Sequence, residues 1–383
     1  MIYAQKQIPF NKSFVTGNEL TYIQEALKKG QLSGEGDFIR KCQLFFEQNY
    51  GFRKAFFTSS CTDALEMSAI LLDIKSGDEI IVPSYTFTST VNAFLLRGAK
   101  IVFADSEALT PNISTESLES LISPKTKAIV PVHYAGVACN MEALLALSKK
   151  YGIYLIEDAA QCIDAFYKGK ALGSLGNMGT FSFHGTKNIT SGEGGMLVIN
   201  DKGFEKRAEF VFHKGTNRSA FNRGETNKYE WVDIGSSYTP SEITGAFLWA
   251  QLESLNDIQN KRKEIWTTYY ALLKPLQDKN FIQLNFVPDY AQHNAHIFYI
   301  ILKDADTRTR LTKYLQQQGI SAHSHYLALH KSPFFKNSYK GSALPNSERY
   351  EDCLLRLPLY NGLTKTETTF ISETIIQFFC LSV

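Results

Sequence analysis

The 383-residue chain has six cysteines, Cys42, Cys61, Cys139, Cys162, Cys353 and Cys380, and no CxxC pair among them. Thiols scattered in this way give neither a zinc ribbon nor a disulfide framework. Net charge is equally scarce. Lys and Arg number 40 against 38 Asp and Glu, and the resulting +2 gives no electrostatic case for nucleic acid or an anionic membrane surface. No apolar run is long enough to span a bilayer. The opening residues Met1-Ile2-Tyr3-Ala4-Gln5-Lys6 lack the basic stretch and apolar run of a signal peptide, so the cytoplasm is the expected compartment. Gly34-Glu35-Gly36 and Gly192-Glu193-Gly194 do not continue as GxGxxG, which argues against a nicotinamide-binding fold. There is no internal repeat and no low-complexity linker.

What is present is globular: hydrophobic residues make up 44% and charged residues 20%. The length suits two domains of unequal size. Residues 17–29 form a helix pattern, opened by the Thr16/Glu19 capping-box spacing and closed by Gly30. A second amphipathic stretch covers 37–50. Short apolar runs then alternate with helical segments, at 55–58, 79–82, 100–104, 127–132, 153–157, 179–183 and 196–199. That rhythm predicts an α/β domain over residues 1–256, with a mostly parallel sheet covered on both faces. From 257 the texture changes to a long helix (257–276), strands at 281–286 and 296–302, a helix (307–318), a strand (320–326) and a closing helix (365–379). Residues 257–383 therefore read as a smaller α+β domain.

In α/β sheets ligands sit at strand carboxyl ends and helix N-termini. Four segments place reactive residues there. Thr58-Ser59-Ser60-Cys61-Thr62-Asp63 turns from strand to helix, either as an anion site or as an ordinary N-cap. Glu157 and Asp158 end an apolar strand, where a carboxylate can hold a cation or a protonated ring nitrogen, or simply cap a helix. Phe181-Ser182-Phe183-His184-Gly185-Thr186-Lys187 runs from a strand into a polar loop with one lysine. Such a lysine is solvated or, if partly buried, an amine nucleophile. In Pro83-Ser84-Tyr85-Thr86-Phe87 an aromatic past a strand end either packs in the core or stacks on a planar ring.

In order and combination these segments resemble the DegT/DnrJ/EryC1/StrS family of sugar aminotransferases, over essentially the whole chain. Within the family the resemblance runs nearest to the dTDP-4-amino-4,6-dideoxygalactose transaminases of enterobacterial common antigen synthesis. It is carried there by 131–139 (PVHYAGVAC), 214–218 (KGTNR) and 233–238 (DIGSSY). The resemblance implies the aspartate-aminotransferase fold (fold type I) and pyridoxal 5'-phosphate as cofactor. It gives Lys187 the role of Schiff-base lysine and proton carrier, and Asp158 that of partner to the pyridine nitrogen. Gln161 matches the contact to the phenolic oxygen, Phe87 the stacking ring, and Cys61, Thr62 and Ser182 the phosphate cup. Many relatives have Gly where Cys61 stands. Ser237 matches a position that, in many relatives, is an Asn reaching the partner subunit's phosphate, which implies a homodimer with shared sites.

Tyr326 and His330 are expected at the sugar-nucleotide mouth, and Lys214 and Arg218 near the diphosphate or on a solvated loop. His323 and His325 share a strand face, but with no acid or thiol nearby in sequence no metal is expected. The implied reaction moves the amino group of L-glutamate to dTDP-4-dehydro-6-deoxy-D-glucose, giving dTDP-4-amino-4,6-dideoxy-D-galactose and 2-oxoglutarate. Rival readings are amination at carbon 3, the opposite carbon-4 stereochemistry, or a cofactor-binding regulator without turnover. The family's dehydratases carry histidine where Lys187 stands.

Overall fold

The computed structural model describes residues 7–381. Its strands in chain order are β1 (Lys54–Thr58), β2 (Glu79–Pro83), β3 (Lys100–Ala104), β4 (Thr126–Ile129), β5 (Tyr154–Asp158), β6 (Phe166–Tyr167), β7 (Lys170–Ala171), β8 (Met178–Ser182), β9 (Gly195–Ile199), β10 (Ile282–Leu284), β11 (Ala291–Gln292), β12 (Phe298–Leu302) and β13 (Leu354–Leu357). Seven of them form the main sheet, in the order β1-β9-β8-β5-β4-β2-β3. All its pairings are parallel except those of β9, which runs antiparallel to both β1 and β8. The expected α/β sheet is thus present.

Strand alternation builds a core on each face of this sheet. Phe57, Ile81, Leu155, Phe181 and Val198 face one apolar cluster, and Phe56, Ile80, Ile156, Met178 and Leu197 face the other. Both faces are dry, which is why the strands read as continuous apolar runs rather than as alternating ones. A second sheet, β10-β12-β13, is antiparallel throughout and closes over a third cluster with the helices Leu255–Asp278 and Lys365–Leu381. The chain divides less cleanly in space than in sequence. Leu329 and Leu344 belong to a core of the main sheet, and the amides of Asn346 and Ser347 donate to Asp105 just beyond β3.

Two local expectations are corrected and one strand is added. Residues 320–326 form no strand. They make only isolated bridges, Ile8 with Ile320 and His323 with Arg356, because beyond His323 the chain leaves β13 and gives the His325 carbonyl to the hydroxyls of Tyr85 and Tyr134. The Thr16/Glu19 capping box is half made: Asn18, not Thr16, precedes the helix Glu19–Lys29, while Glu19 accepts from the amides of Thr16 and Gly17. The strand Leu354–Leu357 was not read from sequence. It is four residues long and follows directly on the helix Pro345–Cys353.

One close approach positions the functional end of the sheet. A Cβ on Gly195 would stand 2.3 Å from the Ser60 carbonyl carbon and 2.4 Å from the Cys61 nitrogen. Both are backbone atoms at the start of the helix Cys61–Leu71, so neither can turn aside. Gly195→Ala is expected to push β9 and that helix start apart and to cost about 1–3 kcal/mol. A lowered urea midpoint at unchanged m-value would register it.

Candidate active site

The end of β5 gives adjacent carboxylates opposite surroundings. Glu157, fully buried, shares the face of Leu155. It accepts from His133 Nε2 at 3.0 Å and from the amides of Gly173, Leu175 and Gly176 at 2.8, 2.7 and 2.6 Å. The Nδ1 of His133 accepts the Cys139 amide, so the ring carries its proton on Nε2. Glu157 is saturated and ties the 173–176 loop to the sheet.

Asp158 points to the other face. It is buried at 5% exposure, accepts from the Thr90 hydroxyl at 2.7 Å and the Ala160 amide at 3.1 Å, and forms no ion pair among the described residues. Burial raises its pKa, and the Thr90 hydrogen bond opposes the rise. A buried carboxylate with this little compensation suits a cationic ring nitrogen.

Lys187 lies on the tight loop after β8. Its amide donates to His184 O, and Gly185 N–H donates to Gly192 O. Asn188 anchors the loop from below, donating to Gln259 Oε1 and Asn294 O and sharing a hydrogen bond with His296 Nδ1. From above, Asn11 and Ser13 donate to the Gly185 carbonyl. Burial lowers the Lys187 pKa, Cys61 and Asp158 oppose this, and the positive charge of Arg356 adds to the lowering. The amine is therefore poised closer to neutrality than a surface lysine.

The helix Cys61–Leu71 starts beside these groups, with Ser60 as N-cap accepting from Asp63 N–H at 3.0 Å. Its first residues are Cys61 and Thr62, and the Thr62 hydroxyl donates to Ser89 Oγ. Across the sheet Thr180 stands in register with Asp158, and its hydroxyl is buried without a partner. Ser182 follows, half-buried, at the same strand end. Free helix-start amides, hydroxyls and an orphaned Thr180 oxygen are the donor set of an anionic, planar ligand. Phe87 closes the other side, 55% exposed, with its ring 6.0 Å from that of Tyr326. The Tyr326 hydroxyl accepts from Gln161 Nε2 at 3.2 Å, and Gln161 Oε1 accepts from the Ala135 amide. Carboxylate, amine, anion cup and exposed aromatic face together fit pyridoxal phosphate.

Four expected residues are not brought into this group. Both ring nitrogens of His330 are taken, by Ser84 Oγ at 2.7 Å and Glu348 Oε1 at 3.3 Å, and the ring is buried. Lys214, Arg218 and Ser237 line a separate cavity of about 220 Å³ with Glu35 and His213. Neither Lys187 nor Asp158 lines that cavity. Thr90, Thr180 and Arg356 were missed by sequence reasoning. Thr90 and Arg356 lie outside the motifs singled out in the sequence, and Thr180 lies one residue before the Phe181–Lys187 segment; the Thr90 hydrogen bond to Asp158 and the register of Thr180 with Asp158 bring those two to the site.

Residues 15–376 match the DegT/DnrJ/EryC1/StrS aminotransferase family. The chain belongs to that family. The spore coat polysaccharide biosynthesis protein SpsC of Bacillus subtilis is 31% identical to it over 377 residues, covering 96% of each chain. An aminotransferase structure from Psychrobacter cryohalolentis superimposes with a TM-score of 0.91 at 26% identity, covering 98% of this chain and 99% of that one. Spr1654 of Streptococcus pneumoniae, solved in its PLP form, shares the fold with a TM-score of 0.90 at 24% identity, covering 99% and 100%. This family member is accordingly a pyridoxal-phosphate-dependent sugar aminotransferase of fold type I.

The neighbouring carboxylates separate stability from activity. Glu157→Gln should lower unfolding stability by about 3 kcal/mol, because it leaves buried donors misplaced. Asp158→Asn should leave the denaturant midpoint close to wild type while slowing amino-group transfer on the order of 100-fold or more. Equal effects of the two changes on both readouts would refute this division.

Proposed function

We propose that the enzyme moves the amino group of L-glutamate to dTDP-4-dehydro-6-deoxy-D-glucose, giving dTDP-4-amino-4,6-dideoxy-D-galactose for an enterobacterial common antigen type of glycan. The observation behind the chemistry is the buried Asp158 carboxylate, compensated only by Thr90 and the Ala160 amide, together with the Lys187 amine that burial depresses. The choice of sugar is supported by the sequence stretches at 131–139, 214–218 and 233–238.

Bound pyridoxal phosphate supplies a carbonyl that joins covalently to amines and a ring that draws electrons from the carbon bearing the nitrogen. Asp158 keeps the ring nitrogen protonated, and its burial strengthens that pairing. Gln161 holds the ring's phenolic oxygen, and Phe87 covers the ring face. The amides of Cys61 and Thr62 with the Ser182 hydroxyl hold the phosphate. Lys187 would hold the cofactor through Nζ. As a free amine, that Nζ would take the proton from the α-carbon of glutamate and, in the second half-reaction, deliver a proton to carbon 4 of the sugar. Tyr326 bounds the sugar side.

Lys214, Arg218 and Ser237 act across a homodimer, completing the partner's phosphate and diphosphate contacts. Their surroundings support this: Trp231 is 82% exposed, with Val232 and Ile234 exposed beside it. Among the described residues no helix is long and apolar enough to cross a membrane.

The visible absorption of the holoenzyme, before and after L-glutamate, tests the proposal. Wild type should show the band of covalently held cofactor and lose it on adding glutamate, and Lys187→Ala should lack that band from the start. NMR of the product made from dTDP-4-dehydro-6-deoxy-D-glucose should show an axial amine at carbon 4. An equatorial amine would replace the proposed product, and failure to aminate this 4-keto sugar would replace it with a different keto-sugar acceptor, such as one with its ketone at carbon 3.

A further inference from the structure

Residues 86–90 reach the cofactor site through several side chains. Phe87 presents its exposed ring, and Ser89 Oγ accepts from the Thr62 hydroxyl at 2.8 Å, next to the start of the helix Cys61–Leu71. Thr90 stands in the first turn of the short helix Ser89–Leu95. Its hydroxyl donates to Asp158 Oδ2 at 2.7 Å and lies 3.0 Å from the Thr86 hydroxyl. A hydroxyl carries a single proton. Thr90 gives its own to Asp158, so Thr86 is the donor between the two threonines. Both side chains are buried. A hydroxyl that already accepts a hydrogen bond donates a stronger one, so Thr86 reinforces the bond to Asp158.

The Asp158 carboxylate is fixed at each oxygen. Oδ1 accepts the Ala160 amide at 3.1 Å, and Oδ2 accepts Thr90. The backbone is pinned as well: the Asp158 amide donates to Pro131 O, and its carbonyl accepts the His133 amide. Within range of the charge stand Lys187, His133, Cys61, Cys162 and Tyr326. Burial holds Cys61, Cys162 and Tyr326 above their ordinary pKa values, so all three are neutral. His133 is engaged by Glu157. Among the described residues, Thr90 is thus the side chain that donates to Asp158. A neutral donor favours the ionised carboxylate without cancelling its charge, which stays available to a cation.

We propose that Thr90, backed by Thr86, is a positioning residue that aims Asp158 and keeps their shared proton on the cofactor's ring nitrogen rather than on the carboxylate. Without the hydroxyl the carboxylate is a stronger base and is less firmly oriented. The proton then moves toward Asp158, and the ring draws electrons less well. The short segment that covers the ring with Phe87 in this way also sets the ring's charge from behind Asp158. This inference rests on the reading of Asp158 as partner to the ring nitrogen.

The test is nitrogen-15 NMR of resting holoenzyme loaded with ring-labelled pyridoxal phosphate. It reads the protonation of the ring nitrogen and needs neither amino donor nor sugar. Wild type should give the resonance of a protonated ring. Thr90→Val should move it toward the neutral ring, Thr86→Val should move it the same way by less, and Thr90→Ser should restore it. In single-turnover experiments Thr90→Val should react with glutamate on the order of 10- to 100-fold more slowly, the loss expected for one hydrogen bond to a charged group, and Thr90→Ser should recover the rate. A lowered urea midpoint with an unmoved resonance in Thr90→Val would make the threonine a packing residue and overturn the proposal. A Thr90→Ser variant that behaves like Thr90→Val would overturn it too. If Thr90→Val does not fold, Thr86→Val carries the test, and an unmoved resonance there counts against the proposal. A neutral ring in wild type is a separate failure: it removes the Asp158 pairing itself, whatever the threonines do.

Discussion

The Asp158 carboxylate is taken out of water and given only a threonine hydroxyl and one amide in return. That incomplete compensation is the constraint around which the rest of the structure is arranged. A buried carboxylate with too few partners is unfavourable unless a cation arrives, and in the proposed mechanism that cation is the protonated cofactor ring. Holding the charge in place requires a rigid strand end. Glu157 provides it on the opposite face, clamping His133 and the 173–176 loop to the sheet. Adjacent residues thus divide the work: one fixes the frame and the other leaves its charge available.

The amine is handled with the same economy. Lys187 sits on a loop held by Asn188 below and by the N-terminal segment above, so its burial is imposed by neighbours rather than by its own side chain. The N-terminal segment also passes under Arg356. A single stretch, residues 8–13, therefore couples the second sheet, the lysine loop and Arg356.

Much of this was legible in the residue order. The strand positions followed from short apolar runs bounded by turn residues, and β3 and the helix Asp37–Tyr50 fell where the pattern put them. Asp158, Cys61 and Thr62 stand at a strand end or a helix start and Lys187 on the loop after β8, positions where side chains can meet a ligand, but their roles and that of Gln161 came from the family resemblance rather than from position alone. Residues 320–326 misled for the opposite reason. Alternating polar and apolar residues predict an extended chain, but whether it pairs depends on a partner, and here the tyrosines Tyr85 and Tyr134 claim the carbonyl of His325.

By itself the sequence determined the α/β rhythm, and the resemblance carried by its motif order determined the family. Period, turn chemistry and motif order are local and survive without knowing what packs against them. The tertiary structure decided which of Glu157 and Asp158 is free, because that turns on which face of a buried strand each occupies. It decided that His330 is held by Ser84 and Glu348, and that Lys214, Arg218 and Ser237 gather away from Lys187. It also decided that Arg356 keeps a buried Nε without a partner among the described residues. Each of these depends on groups far apart in the chain, whose partners become definite only when the sheets and the N-terminal segment have packed.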